Sequence, residues 1–188
     1  MRNKVYTPLK DDEKRTGQEL LTAEKMLLKK HPMRRKKQLL SEAECQQILD
    51  DATSGVLSLL SDDGYPYGVP LSHVRKGDKL YFHCAKTGHK LEAIKNSDKA
   101  SFTVIAQDKV VEEEYTTYFR SVIAFGRIRI LTDDSEHRAA IEALAEKFAP
   151  DYPEGRNAEI NKLYTAFLML EMRIEHMTGK QAKELVKA

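Results

Sequence analysis

Thr87-Gly88-His89-Lys90 sets a hydroxyl, a bare backbone, an imidazole and an ammonium at four consecutive positions. The four follow a run of strand character, Leu80 to His83, and open a helical pattern at Leu91 and Ile94. A strand that ends in a glycine turn and feeds a helix start leaves the first-turn N–H groups free and pointing outward, where the helix dipole adds partial positive charge. Thr87 adds a donor, and His89 and Lys90 add charge. The chemistry this spells is capture of an anion, a phosphate above all. Locally the same residues also read as a solvated loop, and the fingerprints GxxxxGK(S/T) and GxGxxG are both absent.

Other reactive side chains are sparse. Cys45 and Cys84 are the only cysteines, with no CxxC and no zinc spacing, so no metal site is expected. Cys84 adjoins His83, but neighbours on a strand point to opposite faces, which disfavours a Cys–His nucleophile and leaves Cys84 as a core or slot-lining thiol. His73, His137 and His176 read as structural or solvated. Glu112-Glu113-Glu114 reads as a solvated turn. The basic run Arg34-Arg35-Lys36-Lys37 reads as a solvated face and not as a nucleic-acid contact.

The elements that position these residues are mostly short strands. Ser41-Glu-Ala-Glu44 is a capping box opening a helix through Cys45, Ile48 and Leu49, with Gly55 as its stop. Strands are predicted over 56–60, 67–74 and 79–84, separated by Asp62-Asp63-Gly64 and Lys76-Gly77-Asp78, which favour tight antiparallel hairpins. A short helix after Thr87 reaches Ser97, and a strand returns over 100–106. Residues 118–131 form a long strand whose Gly126 marks a bulge or a close approach. An amphipathic helix spans 133–148, then comes a loop at 151–156 and a short helix. In a last strand Leu168, Leu170, Met172 and Ile174 alternate with Met169, Glu171, Arg173 and Glu175, and Gly179 precedes a terminal helix. Six or so antiparallel strands with helices outside describe a small closed barrel.

The 188 residues suit one ordinary domain, with 41% hydrophobic and 32% charged residues. A net charge of +2 gives no electrostatic case for nucleic acid. No apolar run approaches the ~18–20 residues that cross a bilayer, and no secretory signal is visible, so a cytoplasmic protein away from membranes is expected. Residues 1–32 differ from the rest: 11–30 is charge-rich and helix-prone, and His31-Pro32 ends it. They are either an accessory helix or an upstream extension, and 33–188 are expected to form the main domain with its C-terminal helix.

Five segments in order, Met33 to Leu40, Asp63 to Ser72, Tyr81 to Lys90, Tyr115 to Val122 and His176 to Lys180, together resemble the flavin-binding split-barrel proteins of the pyridoxamine-phosphate-oxidase-like class, and most closely its nitroimidazole-resistance branch. The resemblance covers residues 33 to 180. It implies a mostly β fold with flanking helices, an FMN-binding split barrel, and a homodimer with flavin at the subunit interface. Thr87, Gly88, His89 and Lys90 are then the phosphate clamp, with His89 where many relatives carry arginine. Tyr67, Val69, Pro70, Leu71 and Ser72 fit the strand that lines the ring, and the backbone of Phe82, His83 and Cys84 passes within reach of it. Tyr118, Phe119, Arg120 and Ser121 are either interface core or contacts to the other subunit's flavin.

His83 matches a histidine implicated in function in that branch, on the strand before the phosphate turn. The resemblance implies that it gives a proton or hydrogen bond to a small electron-poor acceptor such as a 5-nitroimidazole. From the residues alone it could equally be a barrel histidine bonded to a backbone carbonyl. Two other classes stay open: a flavin- or haem-binding barrel without turnover, with His83, His89 or His73 on iron, and an interaction module that docks through residues 1–32.

Overall fold

The computed structural model describes residues 33–186, so the helix expected over 11–30 lies outside the described residues. The chain divides into two units between Arg34 and Arg35, and every element named below belongs to the second. Seven strands form one antiparallel sheet: β1 (Ser54–Leu60), β2 (Pro66–Ser72), β3 (Val74–Lys76), β4 (Lys79–Ala85), β5 (Lys99–Val111), β6 (Thr116–Ile130) and β7 (Phe167–Gln181). Their order is β2-β1-β5-β6-β7-β4-β3. Among the described residues four helices flank it: α1 (Glu42–Asp51), α2 (His89–Asn96), α3 (Asp134–Phe148) and α4 (Pro153–Leu163). The expected mostly β barrel with outer helices is therefore what the chain forms.

The strand predicted over 67–74 is in fact two. β2 pairs with β1, from Ser54 opposite Ser72 to Leu60 opposite Pro66. β3 pairs with β4 instead. Only His73 separates β2 from β3, yet they lie at opposite edges of the sheet, so the sheet must curl until those edges approach. No ladder joins them there among the described residues, and the barrel is split along that seam.

Alternation along the strands fills the interior. Leu57, Leu80, Phe82, Phe102, Val104, Val122, Ala124, Leu170 and Met172 are buried together. Gly55, expected to stop the first helix, lies in β1 instead, where a Cβ would collide with the Phe102 ring. α1 ends three residues earlier with Ala52 as C-cap, and its capping box is present as predicted, Ser41 and Glu44 bonding reciprocally. Gly126 sits at a bulge between β6 and β7, where a Cβ would overlap the Arg173 carbonyl, so the close approach expected of it is real.

A second, smaller core lies outside the barrel, where α3 covers β3, β4 and β7: Val74, Leu131, Ala140, Leu144 and Met169 are buried there. Met169 and Glu171, on the polar side of the predicted alternation, are therefore enclosed. The Glu171 carboxylate accepts from Lys79 at 2.9 Å, Arg129 at 2.9 Å and the Tyr81 hydroxyl at 3.3 Å, which offsets the cost of burying it. At the end of the chain Gly179 lies inside β7, and a 3₁₀ turn, Lys183–Leu185, stands where a terminal helix was expected. α4 starts at Pro153 and takes up most of the expected loop; proline suits that first position because its missing N–H has no partner to lose.

Candidate functional site

β4 delivers the chain into the Thr87-Gly88 turn and α2, as its sequence implies. Gly88 is the N-cap at φ 130°, a conformation that side chains rarely adopt, and no side chain caps the helix. The space before Gly88 is open, with nothing within 4 Å of a Cβ built there. Thr87, Gly88 and His89 are exposed and Lys90 is half-buried. Among the described residues no ion pair engages Lys90. A half-buried ammonium without a carboxylate, beside an uncapped helix start, is an electropositive corner suited to an anion.

One residue of this corner was not anticipated. Ser61, at the end of β1, lies with its hydroxyl 2.7 Å from Nε2 of His89. Tyr67 stands edge-on to the same imidazole at 4.7 Å between centroids. Only the fold brings Ser61 to His89, 28 positions away, and no local signal in the sequence pairs them.

The slot residues divide by strand alternation. Tyr67, Val69 and Leu71 pack inward against the barrel core, while Pro70 and Ser72 are exposed on the outer face of β2. Phe82 and Cys84 are buried in the barrel, and burial pushes the Cys84 thiol up, so it is a core thiol. β3 pairs only with 79–81, which leaves the same edge of β4 without a ladder from Phe82 to Ala85. Along that stretch His83 and Ala85 are exposed, while Phe82 and Cys84 are buried.

His83 projects outward, opposite Cys84 and exposed. Its nearest ring is Phe167, edge-on at 6.5 Å, and Phe167 in turn stacks on His137 at 5.2 Å. The barrel histidine bonded to a backbone carbonyl is His73 instead: it is wholly buried, with Nε2 2.8 Å from the Leu49 carbonyl oxygen.

Tyr118, Arg120 and Ser121 are not part of this corner. Ser121 pairs with Ile105, whose register on β1 falls at the Ser54 end, seven residues from Ser61 and roughly 23 Å at the rise of a strand. There Arg120 bonds Gln181 at 3.3 Å, Tyr118 donates to Glu114 at 2.8 Å, and Lys180 lies over the Phe119 ring at 5.2 Å. Between the two ends, Val56, Leu60, Ile105 and Phe125 leave an apolar patch exposed on the outer face of β1, β5 and β6.

A sequence profile described as pyridoxamine 5'-phosphate oxidase matches residues 41–181. The chain belongs to the pyridoxamine 5'-phosphate oxidase family. Solved structures with the fold of this family member include a candidate 5-nitroimidazole antibiotic resistance protein from Bacteroides thetaiotaomicron, 20% identical, TM-score 0.64, over 76% of this chain and 86% of that one. The flavocytochrome Anf3 from Azotobacter vinelandii is 20% identical, TM-score 0.68, over 82% and 74%. The FAD and heme binding protein from Mycobacterium smegmatis is 25% identical, TM-score 0.66, over 81% and 76%. No curated protein matches the chain. Among the described residues no helix is long and apolar enough to cross a membrane, and no three His, Cys, Asp or Glu side chains stand together to hold a metal ion.

Proposed function

We propose that this pyridoxamine 5'-phosphate oxidase family member is a cytoplasmic FMN-binding homodimer that reduces small, flat, electron-poor acceptors such as 5-nitroimidazoles. The observation that carries the reading is Lys90: half-buried, without an ion pair among the described residues, and next to an uncapped helix start that opens on free space. One clamp of this kind fits one phosphate monoester, which favours FMN over FAD. Bound and reduced, FMN would supply the electron pair for the acceptor.

The residues then divide the work. Thr87, Gly88, His89 and Lys90 hold the phosphate, and Tyr67 braces His89. The open edge of β4 and the outward Pro70 and Ser72 of β2 border the ring. His83, exposed and close to that edge, donates the proton the acceptor needs. The separation of Arg120 and Ser121 from the clamp supports their serving the second copy's flavin, and the apolar patch around Ile105 and Phe125 supports that copy's docking there.

Titration of FMN into the purified protein tests the claim: quenching of flavin fluorescence at one FMN per chain is expected, and unquenched fluorescence rejects it. Light scattering should give twice the 21.5 kDa chain mass; a monomer would remove the shared site. A second reading, a flavin- and haem-binding protein without turnover, draws on the resemblance to the mycobacterial FAD and heme binding protein. His73 and His89 already bond to Leu49 and Ser61, so His83 is the axial candidate. A Soret band on haem titration, lost in His83→Ala, would favour it.

A further inference from the structure

α3 and α4 run back along each other as a hairpin joined by 149–152, and the pair is tied at both ends. At the loop end Arg156 Nη1 donates to the Ala149 and Pro150 carbonyls at 2.6 and 2.8 Å. At the far end Arg138 donates to the Asn161 side chain at 2.6 Å, and the Tyr164 hydroxyl donates to the Asp134 carbonyl at 3.1 Å. Between these ties a cavity of about 500 Å³ opens to solvent, lined by Ala139 and Ala143 of α3 and Ile160 of α4. An alanine on each of two successive turns leaves the room that larger side chains would fill. The rim is charged, with Glu142 and Glu146 of α3 on one side and Arg156 of α4 on the other. Glu146 and Arg156 stand near the loop, and Ala139 lies seven residues, roughly 10 Å, farther from it along α3.

We propose that this cavity binds a free α-amino acid with an apolar side chain. Its carboxylate takes Nε and Nη2 of Arg156, its ammonium takes Glu146 and the second carboxylate oxygen of Glu142, and its side chain lies along Ala139, Ala143 and Ile160. Each part has a group ready for it. The two carbonyl bonds through Nη1 hold the Arg156 guanidinium in place, and its Nε–Nη2 edge, the fork that grips a carboxylate with two parallel bonds, has no partner among the described residues. Glu146 lies 3.7 Å from Lys76, beyond a hydrogen bond, and both side chains are more than half exposed, so that pair competes weakly. Glu142 spends one oxygen on Arg138 at 2.5 Å. An α-amino acid carries its two charges on one carbon, as a site with Arg156 and Glu146 at the same end requires. A phosphate would be repelled by the glutamates, and a simple amine would leave the arginine edge unmatched. None of these residues belongs to the Thr87–Lys90 corner, so the proposal stands apart from the flavin reading.

Calorimetry of the full chain with L-leucine is the test. One L-leucine is expected to bind per chain. L-leucinamide, which lacks the carboxylate, and N-acetyl-L-leucine, which lacks the ammonium, should each bind about tenfold more weakly or worse. Ala143→Met should fill the cavity and abolish binding. Glu146→Gln changes an exposed side chain, so it should weaken L-leucine about tenfold while the unliganded chain melts at the wild-type temperature, which guards against a misfolded alanine variant. Absence of binding by L-leucine, L-methionine and L-phenylalanine up to about 10 mM overturns the proposal. Leucinamide or N-acetyl-leucine binding as tightly as L-leucine overturns it too, as does a Glu146→Gln variant with wild-type affinity.

Discussion

His73 and Lys147 converge on one acceptor, the Leu49 carbonyl: imidazole Nε2 lies 2.8 Å and ammonium Nζ 3.4 Å from its oxygen. Lys147 also donates to the Ala52 carbonyl at 2.6 Å, so a helix α3 side chain and the residue between β2 and β3 together close the C-terminal end of α1. Burial first, and then the Lys147 charge, push His73 down from 6.5 to about 4.

A depressed histidine makes stability depend on pH in one direction. The unfolded chain takes up the proton first, so the full contribution is present above pH 6.5 and is lost as pH falls from 6.5 through about 4. The loss is of order 3 kcal/mol by linkage. Urea denaturation at a series of pH values should show it, and His73→Gln, which keeps a donor for Leu49 but cannot charge, should flatten that slope.

Gly126→Ala should destabilise the chain by about 2 kcal/mol or more, because the new methyl group would overlap the Arg173 carbonyl across β6 and β7. Both partners are strand backbone, so neither yields easily. A denaturation midpoint equal to wild type would mean that the bulge relaxes freely.

Lys90→Ala should weaken FMN by about 1.5–3 kcal/mol through loss of a charge-assisted phosphate contact. Riboflavin has no phosphate to lose, so its affinity should not change. The two titrations side by side distinguish a clamp residue from one that merely supports the fold.

His83→Ala should leave FMN affinity near wild type, since His83 stands outside the Thr87–Lys90 corner and, among the described residues, its ring contact is the edge of Phe167. Anaerobically reduced protein mixed with a 5-nitroimidazole should be reoxidised more slowly in the variant, by roughly 10²-fold if the histidine is the proton donor. Equal rates would take His83 out of the mechanism.

The strand–turn–helix corner around Thr87–Lys90 was legible because each part of it is local: a strand, a glycine turn and a helix start within about fifteen residues. The same holds for the Ser41 capping box and the hairpin turns at Gly64 and Gly77, whose φ values of 86° and 63° ask for glycine. What the sequence hid depends on distant partners. Gly55 looks like a helix stop until Phe102 is found against it. Glu171 looks solvent-facing until α3 covers it and Lys79, Tyr81 and Arg129 answer its charge. Ser61 has no visible role until the barrel sets it against His89.

The passage of the chain through His73 also governs the order in which the barrel can be assembled. β2 can join β1 at once through their shared turn, but β4 must wait for β7, and Lys79 meets Glu171 across 92 positions. Such distant pairing forms slowly, because the whole intervening loop must be gathered before any contact rewards it. During synthesis a chain released only as far as α4 holds Phe82 and Cys84 on a strand whose main partner has not yet been made. That nascent stage, more than the finished barrel, is when this molecule is most open to joining a neighbour's strand edge instead of its own.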